Sequence, residues 1–307
     1  MSTESVPRSA ARDAARGVTI EAPAKVNLWL DILAREESGY HQLESLFCAL
    51  DLADRVTVEA AEDGVQLEVD GSDIGPAHRN LAHRAAVAFF EATAKPAGAR
   101  ITLEKQIPAG AGLGGGSSDA AATLLGLNTL CGQPLDPATL FRVGSAVGSD
   151  VPFFLTGAPL ALAWSRGERL LTLEPLPPRP TLVVMPPFRV DTPDAYRRLD
   201  EARGRARRGR PGLPPLGPAS LSDWDAIAEL ARNEFEPIIF RRHPLLAELL
   251  DRLGAHGARI ARMTGSGSAV FGIFDRTQQR DAAALDMSAA ADGLLVLATA
   301  TRAERWS

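Results

Sequence analysis

Residues 101–107, 108–118 and 119–130 read ITLEKQI, PAGAGLGGGSS and DAAATLLGLNTL. The first segment alternates apolar and polar side chains, which predicts a strand with one buried face. The third is helical in character, so the glycine-rich run joins a strand to a helix. Glycines let a backbone approach an anion closely, and a helix N-terminus adds partial positive charge. The run therefore predicts a phosphate-binding loop, with Ser117 and Ser118 as candidate caps of the helix.

Two common phosphate loops fit this run poorly. A Walker loop needs Gly-Lys followed by Ser or Thr, and no lysine precedes Ser117. The dinucleotide pattern G-x-G-x-x-G is formally present at Gly110, Gly112 and Gly115, but its first strand should be continuously apolar. No second apolar strand ending in an acidic residue follows the helix. A structural turn without a ligand remains the alternative to phosphate binding.

The rest of the chain predicts alternating strands and helices. A hairpin is expected around Asp63-Gly64, because two alternating runs flank that turn signal. The predicted strands are 18–33 with a break at Pro23, 55–60, 65–69, 101–107 and 181–185. The predicted helices are 80–94, 119–130, one starting near Asp136-Pro137, and 243–255.

Length and composition indicate two globular domains. The 307 residues, 45% of them apolar, suffice for two cores, and EPLPPRP at 174–180 is the clearest boundary. We expect a disordered tail over 1–17, with an organellar transit segment as the alternative, then domains over 18–178 and 179–307. Two cysteines favour a reducing compartment, the cytoplasm, and the chain lacks the long apolar run of a membrane span.

Charge disfavours nucleic acid as a partner. Lys and Arg total 33 against 38 Asp and Glu, which gives a formal net charge of −5. The arginine-rich run 197–218 could be a nucleic-acid-binding arm, but it contains no interleaved aromatics, so a flexible surface loop is favoured. His78 and His83 have no metal-ligand spacing and are interpreted as structural or surface residues, so no resident metal is expected.

Four segments together resemble the GHMP kinases, the family of galactokinase, homoserine kinase and mevalonate kinase. They are residues 23–27 (PAKVN), 108–118, 148–152 (GSDVP) and 264–268 (TGSGS). The resemblance implies an α+β fold of two domains, the second a smaller α/β sandwich with an antiparallel sheet. It also implies ATP as phosphoryl donor, with Mg²⁺ arriving alongside it. The ATP-binding residues would be Pro108, Ala109, Gly110, Ala111, Gly112, Leu113, Gly114, Gly115, Gly116, Ser117 and Ser118.

The resemblance assigns two catalytic residues. Asp150 matches the family's aspartate in GSDVP, where a carboxylate orients the acceptor hydroxyl or takes its proton. Lys25 matches the early lysine, whose ammonium would favour the ionised carboxylate. Only three lysines occur in the chain, which fits a specific need for this one. The resemblance implies that the loop 264–268 lies beside the ATP phosphates and supports the site; a plain hairpin turn is the alternative.

One branch of the family is closest, the branch that phosphorylates the 2-hydroxyl of a cytidine diphosphate ester of methylerythritol in non-mevalonate isoprenoid synthesis. Its signatures are Gly39-Tyr40-His41 and Ser45-Leu46-Phe47. The substrate-binding residues would be Asn27, Tyr40, His41, Phe47, Thr192 and Tyr196, although Phe47 could equally be core. The alternatives are a homoserine- or mevalonate-type kinase and a non-catalytic nucleic-acid binder. The protein would be a monomer or homodimer.

Overall fold

A computed structural model describes residues 17–70, 76–93, 98–205 and 221–306. Residues 1–16 of the predicted disordered tail lie outside this description. So do residues 206–218 of the arginine-rich run. Within the described ranges no helix is both long enough and apolar enough to cross a membrane.

Two sheets with covering helices make up the described chain. The strands are β1 Val18–Arg35, β2 His41–Ala60, β3 Gly64–Asp70, β4 Gly98–Glu104, β5 Leu160–Ser165, β6 Arg169–Thr172, β7 Pro180–Met185, β8 Arg232–Asn233, β9 Ala258–Met263, β10 Val270–Phe274 and β11 Leu295–Ala300. The helices are α1 Leu81–Thr93, α2 Gly115–Leu130, α3 Pro137–Val147, α4 Val151–Leu155, α5 Thr192–Arg205, α6 Trp224–Leu230, α7 Glu236–Ile239, α8 Pro244–Ala255 and α9 Thr277–Ala290.

The first sheet is organised by β2, which is long enough to bond two strands along one edge. Its residues 43–48 pair with β5 and its residues 55–60 pair with β4, both antiparallel. Along the other edge β2 pairs antiparallel with β1. The helices α1 and α2 bury apolar faces against this sheet, with Phe89 and Leu124 fully buried between the layers. The N-terminal part of the chain is thereby a mixed sheet covered by helices.

The hairpin predicted around Asp63-Gly64 is wrong. Both strands exist, but β4 lies between β2 and β3, and β3 pairs parallel with β4. A parallel pair needs a crossover connection, which α1 supplies between β3 and β4. The alternation of residues 65–69 indicates one buried face and one solvent-exposed face. This pattern is the same whichever strand is the neighbour.

The helix after the glycine-rich run begins earlier than predicted. Gly114 is the N-cap of α2, with φ +73°, and the Ser118 amide donates to the Gly114 carbonyl at 2.9 Å. Ser117 and Ser118 therefore lie in the first turn, so their prediction as caps is wrong. Glycine reaches this left-handed φ without steric cost, and a Cβ on Gly114 would lie 2.9 Å from Phe154.

The second sheet is antiparallel in the order β11-β7-β10-β9. Helices α8 and α9 cover it, with Leu249 and Met287 fully buried against the strands. The turn 264–268 joins β9 to β10. The short strand β8, which follows α6 in the chain, pairs parallel with β1 and so joins the first sheet. Hydrogen bonds between Asn27 of β1 and the residues Thr264 and Gly265 place the turn 264–268 beside β1. The two sheets with their helices confirm the predicted α+β fold.

Most other predicted elements are confirmed. α1 lies within 80–94, and α8 and β7 lie at the predicted positions. Asp136 caps α3 by accepting from the Thr139 amide at 2.8 Å, a contact of about 1 kcal/mol. β1 is one strand with a register shift after Pro23.

Residues 197–205 were predicted as a flexible loop, but they form the second half of α5. Arg197 and Arg198 of this segment pair with Asp194 one turn earlier, at i,i+3 and i,i+4 spacing.

Gly112→Ala should lower the free energy of unfolding more than Gly132→Ala. Both glycines have left-handed φ, +81° and +78°, so both variants carry strain of about 1 kcal/mol or more. A Cβ on Gly112 would also lie 2.5 Å from the Thr264 carbonyl oxygen, whereas nothing lies within 4 Å of one on Gly132. We expect a further loss of about 1–3 kcal/mol at Gly112, measured by urea denaturation. Equal losses would contradict the close contact.

Candidate active site

The glycine-rich run lines a cavity of about 320 Å³ at the start of α2. Residues 108–117 form most of its wall, and the adjoining side chains are those of Asn80, Leu81, Lys105, Ile107 and Asp119. Successive glycines leave backbone N–H groups free of neighbouring Cβ atoms, and α2 points its N-terminus at the same place. The cavity is therefore suited to an anion such as a phosphate chain. Ser118 is buried behind this wall and is not part of the lining.

Lys25 lies directly against this loop. Its backbone N–H donates to the Leu113 carbonyl at 2.9 Å, and a Cβ on Gly114 would lie 3.0 Å from the Lys25 Cγ. The Lys25 ammonium lies 3.5 Å from Asp150 Oδ2 and 4.9 Å from the centroid of the Phe47 ring. The two predicted catalytic residues are thus neighbours at the edge of the phosphate loop.

Asp150 and Phe47 differ in their exposure. The Asp150 side chain is 28% exposed, so it faces the solvent-filled side of the site. Phe47 is 2% exposed and packs edge-to-face on Phe153 at 5.2 Å. Phe47 therefore forms the floor beneath the Lys25 ammonium and belongs to the core at the same time.

The Asn27 side chain is buried, and both its oxygen and its nitrogen form hydrogen bonds with protein groups. Its Oδ1 accepts from Lys25 Nζ at 2.8 Å and from the Gly265 amide at 3.0 Å, and its Nδ2 donates to Ser45 Oγ at 2.7 Å. The Thr264 hydroxyl lies 3.1 Å both from Asn27 Oδ1 and from the Gly112 carbonyl oxygen. Asn27 therefore connects β1, the turn 264–268 and the phosphate loop.

A buried charged cluster at the entry to the phosphate loop was not predicted from the sequence. Lys105 donates to Asp119 Oδ2 at 2.7 Å and to Asp54, while Asp54 Oδ1 accepts from the Gln106 and Ile107 amides at 2.5 and 2.8 Å. Burial opposes the charge of Lys105, but Asp119 and Asp54 raise its pKa above the ordinary value. Burial raises the pKa of Asp119 to about 7. The scarcity of lysines was the sequence signal that could have found this cluster.

Four of the six predicted substrate residues meet in a second cavity of about 1220 Å³, whereas Asn27 and Phe47 do not line it. Tyr40, His41, Thr192 and Tyr196 all line it, together with the segment 145–149 that leads to Asp150. The Tyr40 side chain is 61% exposed, so one large aromatic surface is open to a ligand. An aromatic of this kind is a platform on which a flat base can stack.

The helix α5 carries two residues that hold the far wall of this cavity. Tyr196 stacks on His41 with 4.6 Å between ring centroids, and Asp200 Oδ1 lies 2.9 Å from His41 Nε2. Burial and the nearby Asp150 charge raise the pKa of Tyr196 to about 12, so its phenol stays neutral. Thr192, at the start of α5, lies 2.8 Å from Ser266 through their hydroxyl oxygens. Asp200 was not predicted, because nothing in the sequence pairs it with His41.

This arrangement can position a phosphoryl donor and an acceptor. An anion site, an ammonium and a carboxylate lie side by side, which are the parts that phosphoryl transfer requires.

In the described part of the chain no three His, Cys, Asp or Glu side chains form a cluster that could hold a metal ion. His78 is exposed beside α1, and burial and His78 itself lower the pKa of His83.

Family profiles match both parts of the chain. The profile of the GHMP kinases N terminal domain matches residues 80–158, and that of the GHMP kinases C terminal domain matches residues 219–293. A 4-diphosphocytidyl-2-C-methyl-D-erythritol kinase of Moorella thermoacetica is 42% identical over 257 residues, covering 83% of this chain and 90% of that protein. One of Thermus thermophilus is 45% identical over 261 residues, covering 82% and 86%.

Solved structures agree with this assignment. A crystal structure of 4-(cytidine 5'-diphospho)-2C-methyl-D-erythritol kinase superposes with a TM-score of 0.76 at 40% identity, covering 92% of this chain and 99% of the other. A homoserine kinase of Cytophaga hutchinsonii shares the fold, with a TM-score of 0.66 at 17% identity over 99% and 98% of the two chains. The chain therefore belongs to the GHMP kinase family, in the group of the 4-diphosphocytidyl-2-C-methyl-D-erythritol kinases that it resembles over most of its length.

Proposed function

We propose that the chain transfers the γ-phosphoryl group of ATP to the 2-hydroxyl of 4-diphosphocytidyl-2-C-methyl-D-erythritol, giving the 2-phosphate and ADP. The reaction belongs to the non-mevalonate route to isoprenoid precursors. One observation carries the proposal: the Lys25–Asp150 pair, 3.5 Å apart, adjoins the phosphate loop, and residues 145–149, which lead to Asp150, line the cavity of Tyr40 and His41. The names of the relatives agree with this reaction.

Asp150 and Lys25 would act on the acceptor hydroxyl. The Asp150 carboxylate is accessible, so it can accept a hydrogen bond from the hydroxyl and then its proton as the phosphoryl group arrives. The Lys25 ammonium lies between Asp150 and the phosphate loop, where it would stabilise negative charge on the transferring group. Neither residue forms a covalent intermediate in this scheme, since positioning and charge carry phosphoryl transfer.

Asn27 would work through Lys25. Its oxygen and nitrogen bond Lys25, Gly265 and Ser45, and the residue is 3% exposed. The 2.8 Å hydrogen bond from Lys25 to Asn27 holds the flexible lysine side chain in one conformation. Less side-chain entropy is then lost when the substrate binds. We therefore assign Asn27 a positioning role in place of the direct substrate contact expected from its sequence position.

ATP, the phosphoryl donor of this family, would bind along residues 108–118. The start of α2 also suits Mg²⁺, because Ser118 Oγ and Asp119 Oδ1 are buried there without a hydrogen-bond partner among the described residues. Hard oxygen atoms are the ligands that Mg²⁺ prefers. Asp119 lines the glycine-loop cavity, so its Oδ1 would hold the ion, which would neutralise charge on the phosphates.

The base-binding end distinguishes this reaction from those of related kinases. Homoserine and mevalonate are small and carry no flat base, so neither would use the exposed ring of Tyr40 or fill a cavity of about 1220 Å³. A cytidine base would stack on Tyr40, with His41 and Tyr196 forming the opposite wall. The cavity thereby favours the cytidine substrate.

The proposal is tested by ADP release from the purified chain. With ATP and Mg²⁺, release should depend on the cytidine diphosphate ester of methylerythritol and should be absent with homoserine or mevalonate. Release with one of these two alone would keep the kinase chemistry and overturn the proposed substrate. No release with any of the three would contradict the proposed function.

Asp150→Asn should abolish turnover while leaving the nucleotide site intact. General-base and orienting groups contribute about 10²- to 10⁴-fold, so we expect kcat to fall by that factor. The Kd of a non-hydrolysable ATP analogue should stay within about twofold, because Asp150 does not line the glycine-loop cavity. Asp63→Asn, on an exposed turn, is the matched control. An Asp150→Asn enzyme with near-wild-type kcat would refute the assigned role.

A further inference from the structure

One turn borders both ends of the proposed substrate site. This turn, residues 166–168, joins β5 to β6. The Arg166 guanidinium lies over the Tyr40 ring, 4.3 Å from its centroid. At the next residue, a Cβ on Gly167 would lie 3.6 Å from Asp150 Oδ1. The turn therefore spans the distance between the exposed aromatic platform and the catalytic carboxylate.

Arg166 is held in place by neighbouring polar groups. Its Nε donates to Glu36 Oε2 at 3.2 Å, and its Nη2 donates to the same oxygen and to Ser38 Oγ at 3.3 Å. The Arg166 amide donates to Glu168 Oε2 at 2.8 Å. Hydrogen bonds from Arg166 and Ser38 lower the pKa of Glu36, so the pair remains charged at neutral pH.

These bonds leave part of the guanidinium free. Nε and Nη2 are both used, whereas Nη1 has no hydrogen-bond acceptor among the residues that the structure describes. A guanidinium stacked on an aromatic ring and fixed along one edge keeps its remaining N–H groups in a set direction. Such donors bind phosphate oxygens strongly, because the hydrogen bond is charge-assisted.

We propose that Arg166 binds the diphosphate group of the substrate and thereby selects a nucleoside diphosphate ester. This inference rests on the proposed function, in which the base stacks at Tyr40 and the acceptor hydroxyl lies at Asp150. The diphosphate connects these two parts of the substrate, so it must pass the turn that carries Arg166.

The other arginines that line the cavity are placed less favourably. Arg35 and Arg197 are 62% and 64% exposed and pair with carboxylates of α5. Arg84 is an exposed residue of α1. The carboxylates that face the cavity are Glu168, Asp200 and Glu201. In the described ranges Arg166 is the cavity-lining cation that also contacts the Tyr40 ring.

The test compares the binding of cytidine and of cytidine diphosphate by calorimetry, without ATP. In the wild type the diphosphate should bind more tightly than cytidine. Arg166→Met should weaken binding of the diphosphate by about tenfold or more and that of cytidine by less than about twofold. Tyr40→Leu should weaken the binding of both ligands, because it removes the ring on which the base stacks. Arg169→Met, which removes a charge from the same β-hairpin outside the cavity lining, should change neither.

Each other result has a definite meaning. Equal weakening of both ligands by Arg166→Met would assign Arg166 to the support of Tyr40 and overturn the diphosphate contact. Unchanged binding in that variant would overturn it as well. Wild-type protein that binds no cytidine diphosphate would contradict the proposed function itself, so the two failures are distinguishable.

A conservative variant separates loss of charge from loss of fold. Arg166→Lys keeps the charge without the planar stack, and its affinity for the diphosphate should lie between those of wild type and Arg166→Met. Binding of an ATP analogue checks folding in every variant, because the glycine-loop cavity does not include Arg166. Equal losses of diphosphate affinity in the Lys and Met variants, with ATP-analogue binding intact, would overturn the contact.

Discussion

The active site depends on a single buried amide, the side chain of Asn27. Its oxygen accepts from the Lys25 ammonium and from the Gly265 amide, and it lies within hydrogen-bond distance of the Thr264 hydroxyl. That hydroxyl also reaches the Gly112 carbonyl oxygen. Buried polar groups left without partners cost about 1–3 kcal/mol each, so these bonds hold one another in place. The amide thereby fixes the ammonium against the phosphate loop and fixes both sheets relative to it.

The phosphate loop is supported on its other side by charge. Asp54 accepts from two successive amides at the entry to the loop and pairs with Lys105, which also bonds Asp119 in the first turn of α2. Removing one member of such a buried set leaves an uncompensated charge, which costs about 3–5 kcal/mol. Hydrogen bonds and ion pairs therefore hold both ends of the phosphate loop. Gly112 and Gly114 pack closely against neighbouring atoms between these ends.

The sequence predicted the secondary-structure elements and the proximity of Lys25 and Asp150 better than it predicted the contacts around them. The glycine run, Lys25 and Asp150 belong to local motifs, and the fold brings them together as the family resemblance implies. The predicted partner of strand 65–69 is wrong, because alternation shows which face of a strand is buried but does not identify the neighbouring strand. Arg166 and Asp200 contact Tyr40 and His41 only after folding, over more than 120 residues of chain, so no local pattern marks them.

Phosphorus NMR of the reaction product identifies the acceptor hydroxyl, which in the proposed site is the 2-hydroxyl held at Asp150 near the phosphate loop. With ATP, Mg²⁺ and the cytidine diphosphate ester of methylerythritol, we expect one new phosphomonoester signal without three-bond coupling to any proton, because C2 is tertiary and carries no hydrogen. The two diphosphate signals of the substrate should remain, and ADP should form in equal amount. Phosphate on a ribose hydroxyl, or free phosphate from ATP without a new ester, would contradict this assignment.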